Sequence, residues 1–161
     1  MNVLNDQSID LVVTSPPYPM IEMWNKQFKL ADPGIERLIE NGDGRSAFEA
    51  MHSILDRVWT ELYRVMKDGA IACVSIDDAT RTINKYFKLF PNHSRIQKKF
   101  FDLGFNLLPF FIWRKQTNAP NKFGFLQRRI RRQTVSRAAI FGRKEKPGFL
   151  TFGILRVPGR R

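Results

Sequence analysis

The fold of this chain is decided by residues 10–18, which read Asp10-Leu11-Val12-Val13-Thr14-Ser15-Pro16-Pro17-Tyr18. Its first half, with Ile9 in front, is a nearly continuous apolar run rich in β-branched residues, which is typical of a central strand covered on both faces. The two prolines that follow fix φ at roughly −65° and hold the backbone extended. Because ligands of open α/β sheets bind beyond the carboxyl ends of the strands, this loop is predicted to lie at a binding site.

The loop offers hydrogen-bond acceptors and a flat ring in fixed positions. A planar base with an exocyclic amine fits this arrangement: the base stacks on Tyr18, and the amine donates to the Ser15 hydroxyl and the Pro16 carbonyl. Such an amine is a poor nucleophile because its lone pair is delocalised into the ring. Two acceptors that draw its hydrogens out of plane restore the lone pair for attack on an electrophilic methyl group. A base inside a duplex must first be flipped out to reach such a loop.

The segment 14–18 resembles the catalytic motif of DNA methyltransferases that modify exocyclic amines. Its serine is similar to the cytosine-N4 branch, whereas the adenine-N6 branch more often carries Asp or Asn there, so the choice of base is a preference. The resemblance covers residues 3 to about 124 and includes Asp6-Gln7-Ser8-Ile9-Asp10, Pro19-Met20-Ile21-Glu22-Met23-Trp24, Trp113-Arg114-Lys115 and Asn118-Ala119-Pro120-Asn121-Lys122. Ser-Pro-Pro alone also occurs in structural linkers, and a tyrosine after it packs on a proline there.

The resemblance implies a site, a cofactor and a partner. Ser15 and the Pro16 carbonyl would accept from the target amine, Pro17 would stiffen the loop, and Tyr18 would stack on the flipped base. S-adenosylmethionine is the implied methyl donor, double-stranded DNA is the implied partner, and restriction-modification systems are the implied setting. The residues expected to contact DNA, at the end of a later strand, are Arg114, Lys115, Asn118 and Lys122.

The elements that follow predict an α/β fold. They are a helix over 47–66, a strand over 70–76, a helical segment from Asp78, a helix over 95–103 and a strand over 105–113. Ser46 and Glu49 form a capping box for the first helix, and Lys67-Asp68-Gly69 is expected to end it. His52 on that helix is expected to be solvated or structural. The order predicts a Rossmann-like, mostly parallel sheet with flanking helices, as a partial methyltransferase domain over 1–124.

The composition fits one globular domain. The 161 residues are 43% hydrophobic and include three tryptophans, which disfavours a disordered chain. No apolar run reaches the length of a membrane span and no leader is visible at Met1, so the protein is predicted to be cytoplasmic. The single cysteine, Cys73, is expected to be a buried small hydrophobe, and no metal site is predicted.

The charge is concentrated in residues 125–161. They hold 11 Lys or Arg and one acid, out of a net charge of +12 for the chain. Their glycines are scattered singly, and the glycine-rich segment by which relatives hold the cofactor is not found, so no cofactor-binding residues are assigned. The chain therefore resembles a truncated family member. Residues 125–161 are expected to be a basic tail that is poorly ordered or unrelated to the family; if native, its Arg128, Arg129, Arg131 and Arg132 would contact phosphates.

Several functions stay open on these residues. The first is a cytosine-N4 DNA methyltransferase fragment, with adenine-N6 methylation as the variant of the same chemistry. The second is a catalytically inactive DNA-binding remnant that keeps the fold and gains a basic tail. The third is one half of a split enzyme, in which a second chain supplies the glycine-rich cofactor half.

Overall fold

The structure is a computed structural model that describes residues 3–116 and 134–144. No helix within these ranges is both long and apolar enough to cross a membrane. The elements are, in chain order, β1 (Ile9–Thr14), a 3₁₀ turn (Glu22–Trp24), α1 (Asn25–Ala31), α2 (Gly34–Glu40), α3 (Gly44–Val65), β2 (Met66–Ile76), β3 (Ala79–Ile83), β4 (Tyr86–Phe90), α4 (Asn92–Leu103), β5 (Phe105–Gln116) and β6 (Thr134–Lys144).

The main sheet has four strands in the order β1-β2-β6-β5. β1 pairs with β2 in parallel, while β6 pairs antiparallel with both β2 and β5. β1, β2 and β5 therefore run in the same direction, and their carboxyl ends meet at one edge of the sheet. Three of the four strands of the described sheet thus point in one direction, and β6 points in the other. Together with the helices, this confirms the predicted α/β, Rossmann-like and mostly parallel architecture.

β1 is an edge strand of the described sheet, so the prediction of a central strand covered on both faces is wrong as far as residues 3–116 and 134–144 are concerned. Leu11 is 60% exposed and Val13 is 70% exposed, while Ile9 and Val12 are half-buried. Apolar residues on both faces of a strand indicate that other elements pack against it. They do not indicate which part of the sequence supplies those elements.

β6 lies between β2 and β5, so Thr134–Lys144, which the sequence analysis placed in a basic tail, form a strand of the main sheet. The side chain of Lys144 is buried, and its Nζ donates to the carbonyls of Tyr63 and Met66 at 3.0 and 2.9 Å. At Gly142 a Cβ would lie 3.0 Å from Phe100, so this strand is fitted to the core. Residues 125–133 and 145–161 lie outside the described residues.

The long helix α3 carries most of the core. Its buried side chains form one apolar stripe, consisting of Ala47, Phe48, Met51, Leu55, Trp59, Leu62 and Val65. The helix begins at Asp43, whose carboxylate accepts from the Ser46 N–H at 3.0 Å, so the expected Ser46 capping box is not the cap. It ends at Val65. Gly69, expected to close the helix, instead has φ +84° inside β2, where the register with β1 shifts.

The segment after Asp78 is a β-hairpin of β3 and β4, and the prediction of a helix there is wrong. Asn84 and Lys85 form the two-residue turn, with φ of 50° and 66°. This is the type I′ geometry that matches the twist of paired strands. By contrast, α4 and β5 confirm the sequence prediction, and the register of β5 with β6 shifts between Leu108 and Phe111, beside Pro109.

Candidate functional site

The loop after β1 presents its serine to solvent. Ser15 is exposed, Pro16 is buried and Pro17 is half-buried. The Ser15 hydroxyl lies 3.0 Å from the Tyr18 hydroxyl, so the structure brings together two of the predicted catalytic side chains. Because Ser15 stands at the carboxyl end of a strand in an open α/β sheet, it occupies the place where such folds bind ligands.

Tyr18 is less accessible than its predicted stacking role requires. Only 9% of the residue is exposed, and its ring belongs to the main hydrophobic cluster. In this conformation the ring is not an open platform for a base. Its hydroxyl is directed at Ser15, so the closed loop places a phenol beside the serine.

The residues after Tyr18 are held in a strained conformation. Met20 has φ +67°, which is uncommon for a residue with a side chain. Its N–H donates to the sulfur of Met51 on α3 at 3.2 Å, and the residue is 1% exposed. Ile21 N–H closes the turn on the Tyr18 carbonyl at 3.2 Å. Strain of this kind persists only where surrounding contacts over-determine the backbone, and it is concentrated at functional sites.

Asn92, the first residue of α4, fixes this loop from the other side. Its side-chain nitrogen donates to the Pro19 carbonyl at 3.1 Å and to the Asp77 carbonyl at 3.0 Å. Its side-chain oxygen lies 3.0 Å from Nε2 of His52. Because that oxygen can only accept, His52 must carry its proton on Nε2. One buried amide thus joins the loop, the end of β2 and α3.

His52 is buried, which confirms the structural alternative of the sequence analysis. It is fully inaccessible, and Phe48 packs edge-on against its ring at 4.5 Å. Burial lowers its pKa from 6.5 to about 4, against the opposing effect of the Asn92 hydrogen bond. Its Nδ1, which bears the lone pair in this tautomer, has no hydrogen-bond partner in the part of the chain that the structure describes.

The carboxyl end of β2 carries a second polar group. The Asp78 carboxylate accepts from the His93 N–H at 3.1 Å and contacts the His93 ring at 2.7 Å. Ser94 lies 3.1 Å from the other ring nitrogen. Asp78 was predicted to begin the segment that directly follows it. It instead accepts a hydrogen bond from the first turn of α4, which comes after β3 and β4.

Two of the four residues predicted to contact DNA lie within the described part of the chain. Arg114 and Lys115 lie near the carboxyl end of β5, where they pair with Ser136 and Val135 of β6. That end is at the same sheet edge as Ser15, three strand spacings or about 14 Å away across the sheet. The other two residues, Asn118 and Lys122, lie outside the described residues.

An apolar groove runs beside β1 and below the loop. It has a volume of about 450 Å³. Its lining consists of Leu4, Ile9, Val12, Thr14, Pro16, Pro17, Leu55, Val58, Trp59, Leu62 and Val65. The indole N–H of Trp59 is buried and has no acceptor among the residues that the structure describes. The groove and the open edge of β1 together form a surface of the kind that packs against another element.

The described residues do not fit the glycine-rich cradle of a nucleoside cofactor. Such a cradle needs glycines between a strand and the beginning of a helix. The glycines with positive φ are elsewhere: Gly42 lies between α2 and α3, Gly69 in the irregular part of β2, and Gly104 at the end of α4.

Sequence reasoning missed the residues that fix the loop. Nothing in the order Pro91-Asn92-His93 indicates that the side-chain amide of Asn92 reaches Pro19, 73 positions earlier. The spacing of apolar residues along α3 places Met51 in the core, but it gives no sign that the Met51 sulfur accepts a hydrogen bond from the N–H of Met20.

Comparison with known proteins identifies the class. A family model for DNA methylases, the N6/N4 methyltransferase model, matches residues 9–135 and so extends beyond 124 into β6. The type II methyltransferase M.MthZI of Methanothermobacter thermautotrophicus is 52% identical over 124 residues, which are 76% of this chain and 35% of that protein. M.MjaI of Methanocaldococcus jannaschii is 46% identical over 140 residues, which are 78% of this chain and 46% of the relative.

Solved structures agree with the sequence relatives. TTHA0409 of Thermus thermophilus, described as a DNA modification methylase, aligns over 99% of this chain and 53% of its own, with a TM-score of 0.61 and 25% identity. The same protein in complex with S-adenosyl-L-methionine aligns with a TM-score of 0.62 and 24% identity. This chain spans less than half of the two sequence relatives and about half of TTHA0409. On the match over residues 9–135, the chain belongs to the N6/N4 family of DNA methylases.

Proposed function

We propose that the chain is the catalytic half of a DNA methyltransferase that methylates the N4 amine of a flipped cytosine, as part of a cytoplasmic restriction-modification system. The observation that carries this proposal is the exposed Ser15 hydroxyl at the carboxyl end of β1, on a loop that Asn92 and Met51 hold in place. The serine at this position favours cytosine over adenine as the substrate base.

The loop supplies acceptors for the target amine. The Ser15 oxygen and the Pro16 carbonyl each accept one amine hydrogen, which draws the hydrogens out of the plane of the base and returns the lone pair to the nitrogen. Pro17 stiffens this segment, so little reorganisation is needed when the base arrives. The Tyr18 hydroxyl, 3.0 Å from Ser15, orients the serine in the closed loop. Stacking of the base on Tyr18 requires the loop to open, because the ring is 9% exposed.

The edge of β1 is proposed to bind the unit that carries S-adenosylmethionine. Leu11 and Val13 leave apolar surface uncovered on one face of this edge strand, and the groove beside β1 has an almost wholly apolar lining. The described residues form no cofactor cradle, and the sequence relatives are more than twice as long as the matched part of this chain. A second chain or a further segment that adds a strand to β1 would cover this surface and supply the cradle.

DNA is proposed to lie across the carboxyl edge of the sheet. Arg114, Lys115, Asn118 and Lys122 would contact phosphates and position the duplex over Ser15. The first two stand on β5, which ends at this edge.

Two observations favour a second candidate, an inactive DNA-binding remnant. The cofactor cradle is not found among the described residues, while residues 125–161 hold 11 basic residues and one acid. Such a protein would bind DNA in a salt-dependent way without transferring a methyl group.

A complementation assay separates these functions. The chain is incubated with S-adenosylmethionine and duplex DNA, with and without a polypeptide comprising the part of M.MthZI outside its match to this chain, and the nucleosides are analysed by mass spectrometry. We expect N4-methylcytosine in the mixture only. Ser15→Ala should then lower the rate by about 10²–10³, as loss of one preorganised polar contact does, whereas Ser53→Ala on α3 should leave it unchanged. N6-methyladenine as product would reassign the base, and DNA binding without any product would favour the remnant.

A further inference from the structure

The β3–β4 hairpin is a rigid projection beside the catalytic loop. Its two-residue turn is packed against the rest of the protein, since a Cβ added at Gly42 would lie 1.7 Å from the Asn84 side-chain nitrogen. Ala79, Ile83 and Phe90 are buried, and Phe90 packs on Phe48 with ring centroids 5.6 Å apart. The hairpin is therefore anchored along one face and at its tip.

Large apolar side chains of the hairpin are nevertheless exposed. Tyr86 is 71% exposed, Phe87 is 66% exposed and Leu89 is 62% exposed. In the β3–β4 register, Phe87 lies opposite Thr82 and Leu89 lies opposite Thr80, on the face away from the buried residues. Tyr86 lies opposite the buried Ile83 on the other face. Two large apolar side chains, Phe87 and Leu89, are thus exposed on one face of a short strand, which indicates a binding surface because a folded protein rarely leaves such side chains uncovered together.

The charge of the hairpin indicates which class of partner it binds. Residues 79–92 contain Arg81, Lys85 and Lys88 and no acid. The acids beside the hairpin are Asp77 and Asp78, which directly precede it, Glu22, which lines the adjoining groove, and Asp43. Lys88 helps to lower the pKa of Asp43, after the hydrogen bonds from Ser46. A partner with regularly spaced negative charges and flat apolar faces matches this combination of lysines and aromatic rings. Nucleic acid has both properties.

The hairpin also has the right location for a DNA contact. A groove of about 410 Å³ separates it from the residues that follow Tyr18. Residues 20–23 form one wall of this groove, while residues 80–82 and Phe87 form the other. Across this groove, the hairpin therefore faces the segment that directly continues the catalytic loop.

We propose that the β3–β4 hairpin contacts the DNA duplex beside the flipped base, with Lys85 and Lys88 on phosphates and Phe87 stacked on bases left unpaired by the flip. The proposal rests on the DNA methyltransferase function above. It assigns to this chain a DNA-binding element distinct from the four residues predicted near the end of β5. Insertion of an apolar side chain at an opened base step is a common way to stabilise distorted DNA.

The test measures binding of the full-length chain to labelled duplexes by fluorescence anisotropy between about 50 and 300 mM salt. One duplex is fully paired and the other contains one unpaired base. Lys85→Ala/Lys88→Ala should reduce the slope of log affinity against log salt by about 2, because each phosphate contact contributes about 0.9. Phe87→Ala should leave the slope unchanged and weaken binding to the second duplex by about tenfold. The matched control, Arg57→Ala/Lys98→Ala, removes the same charge from exposed positions on α3 and α4.

The possible contrary results are distinct. Equal slopes for the hairpin variant and the control would overturn the hairpin assignment and leave the methyltransferase proposal intact. No binding of either duplex by the unaltered chain would overturn both. If sedimentation shows that the unaltered chain forms dimers that Phe87→Ala dissociates, while DNA affinity is unaffected, the hairpin is an interface between copies and the proposal is wrong.

Discussion

The buried His52 makes the stability of this protein depend on pH in a defined window. The folded protein holds the imidazole neutral with a pKa of about 4, against 6.5 for an accessible histidine. Between these values the unfolded chain binds a proton that the folded chain does not bind, so acid favours unfolding. The contribution of the neutral His52 to the free energy of unfolding is complete above pH 6.5 and is lost progressively as the pH falls towards 4.

The size of this effect follows from the two pKa values. Their difference, at about 1.4 kcal/mol per pKa unit, corresponds to about 3 kcal/mol of unfolding free energy. The nearby Arg95 lowers the pKa of His52 further, while Asp56 and Glu49 act in the opposite direction. Burial has the largest effect on this pKa. A protonated Nδ1 would be a buried N–H donor, and no acceptor for it lies among the described residues.

His52→Gln isolates the effect. A glutamine amide keeps an N–H for the Asn92 oxygen but does not titrate. Urea unfolding followed by tryptophan fluorescence, at about pH 7 and at intervals down to about pH 4.5, gives the unfolding free energy of both proteins. The carboxylates titrate in both, so the difference between the proteins reports His52 alone.

We expect the free-energy difference to change by about 1.4 kcal/mol per pH unit below about pH 6. His93→Gln, which removes the other of the two histidines, should retain the steep pH dependence of the unaltered chain. Parallel curves for the unaltered chain and His52→Gln would refute the reasoning. So would an NMR titration in which the His52 ring protonates with its ordinary pKa.

Two further substitutions test the packing that surrounds the site. Asn92→Ala removes three hydrogen bonds, of which those to His52 and Pro19 are buried, so we expect a loss of about 2–4 kcal/mol in unfolding free energy, and no loss for the exposed Asn5→Ala. Gly142→Ala forces a Cβ to within 3.0 Å of Phe100 and 3.2 Å of Phe105, which should cost about 1–3 kcal/mol. An unchanged urea midpoint for Gly142→Ala would contradict the position of β6 in the sheet.

The parts of the fold that were predictable are those with local signals. The α3 stripe repeats every three or four residues, Gly104 ends α4 in the left-handed conformation, and Pro109 coincides with a register shift in β5. The hairpin escaped prediction because Ile83, Tyr86 and Phe87 fit a helical spacing as well as a strand. Its Asn84-Lys85 turn also lacks the glycine that usually marks a type I′ turn.

β6 was not predictable because its evidence is long-range. Thr134–Lys144 combines small, apolar and basic residues with no strict alternation. What makes it a strand is pairing with β2 and β5 on both sides, together with the fit of Gly142 against Phe100. In the sequence, Lys144 is one more charge of a basic tail. In the structure its ammonium group satisfies two carbonyls in the core and lies 4.6 Å from the centre of the Tyr63 ring.

The prediction that β1 is a central strand differs from the structure in a way that matters most for function. Its apolar residues indicate a strand with both faces covered and a neighbour on each side, whereas the described sheet covers it from β2 only. Folded proteins rarely leave such an edge free, because unpaired strand edges recruit other chains. The open side of β1 also adjoins the groove that contains Pro16 and Pro17. A unit that adds a strand there would therefore close the groove beneath the catalytic loop, so completing the sheet and completing the site would be the same event.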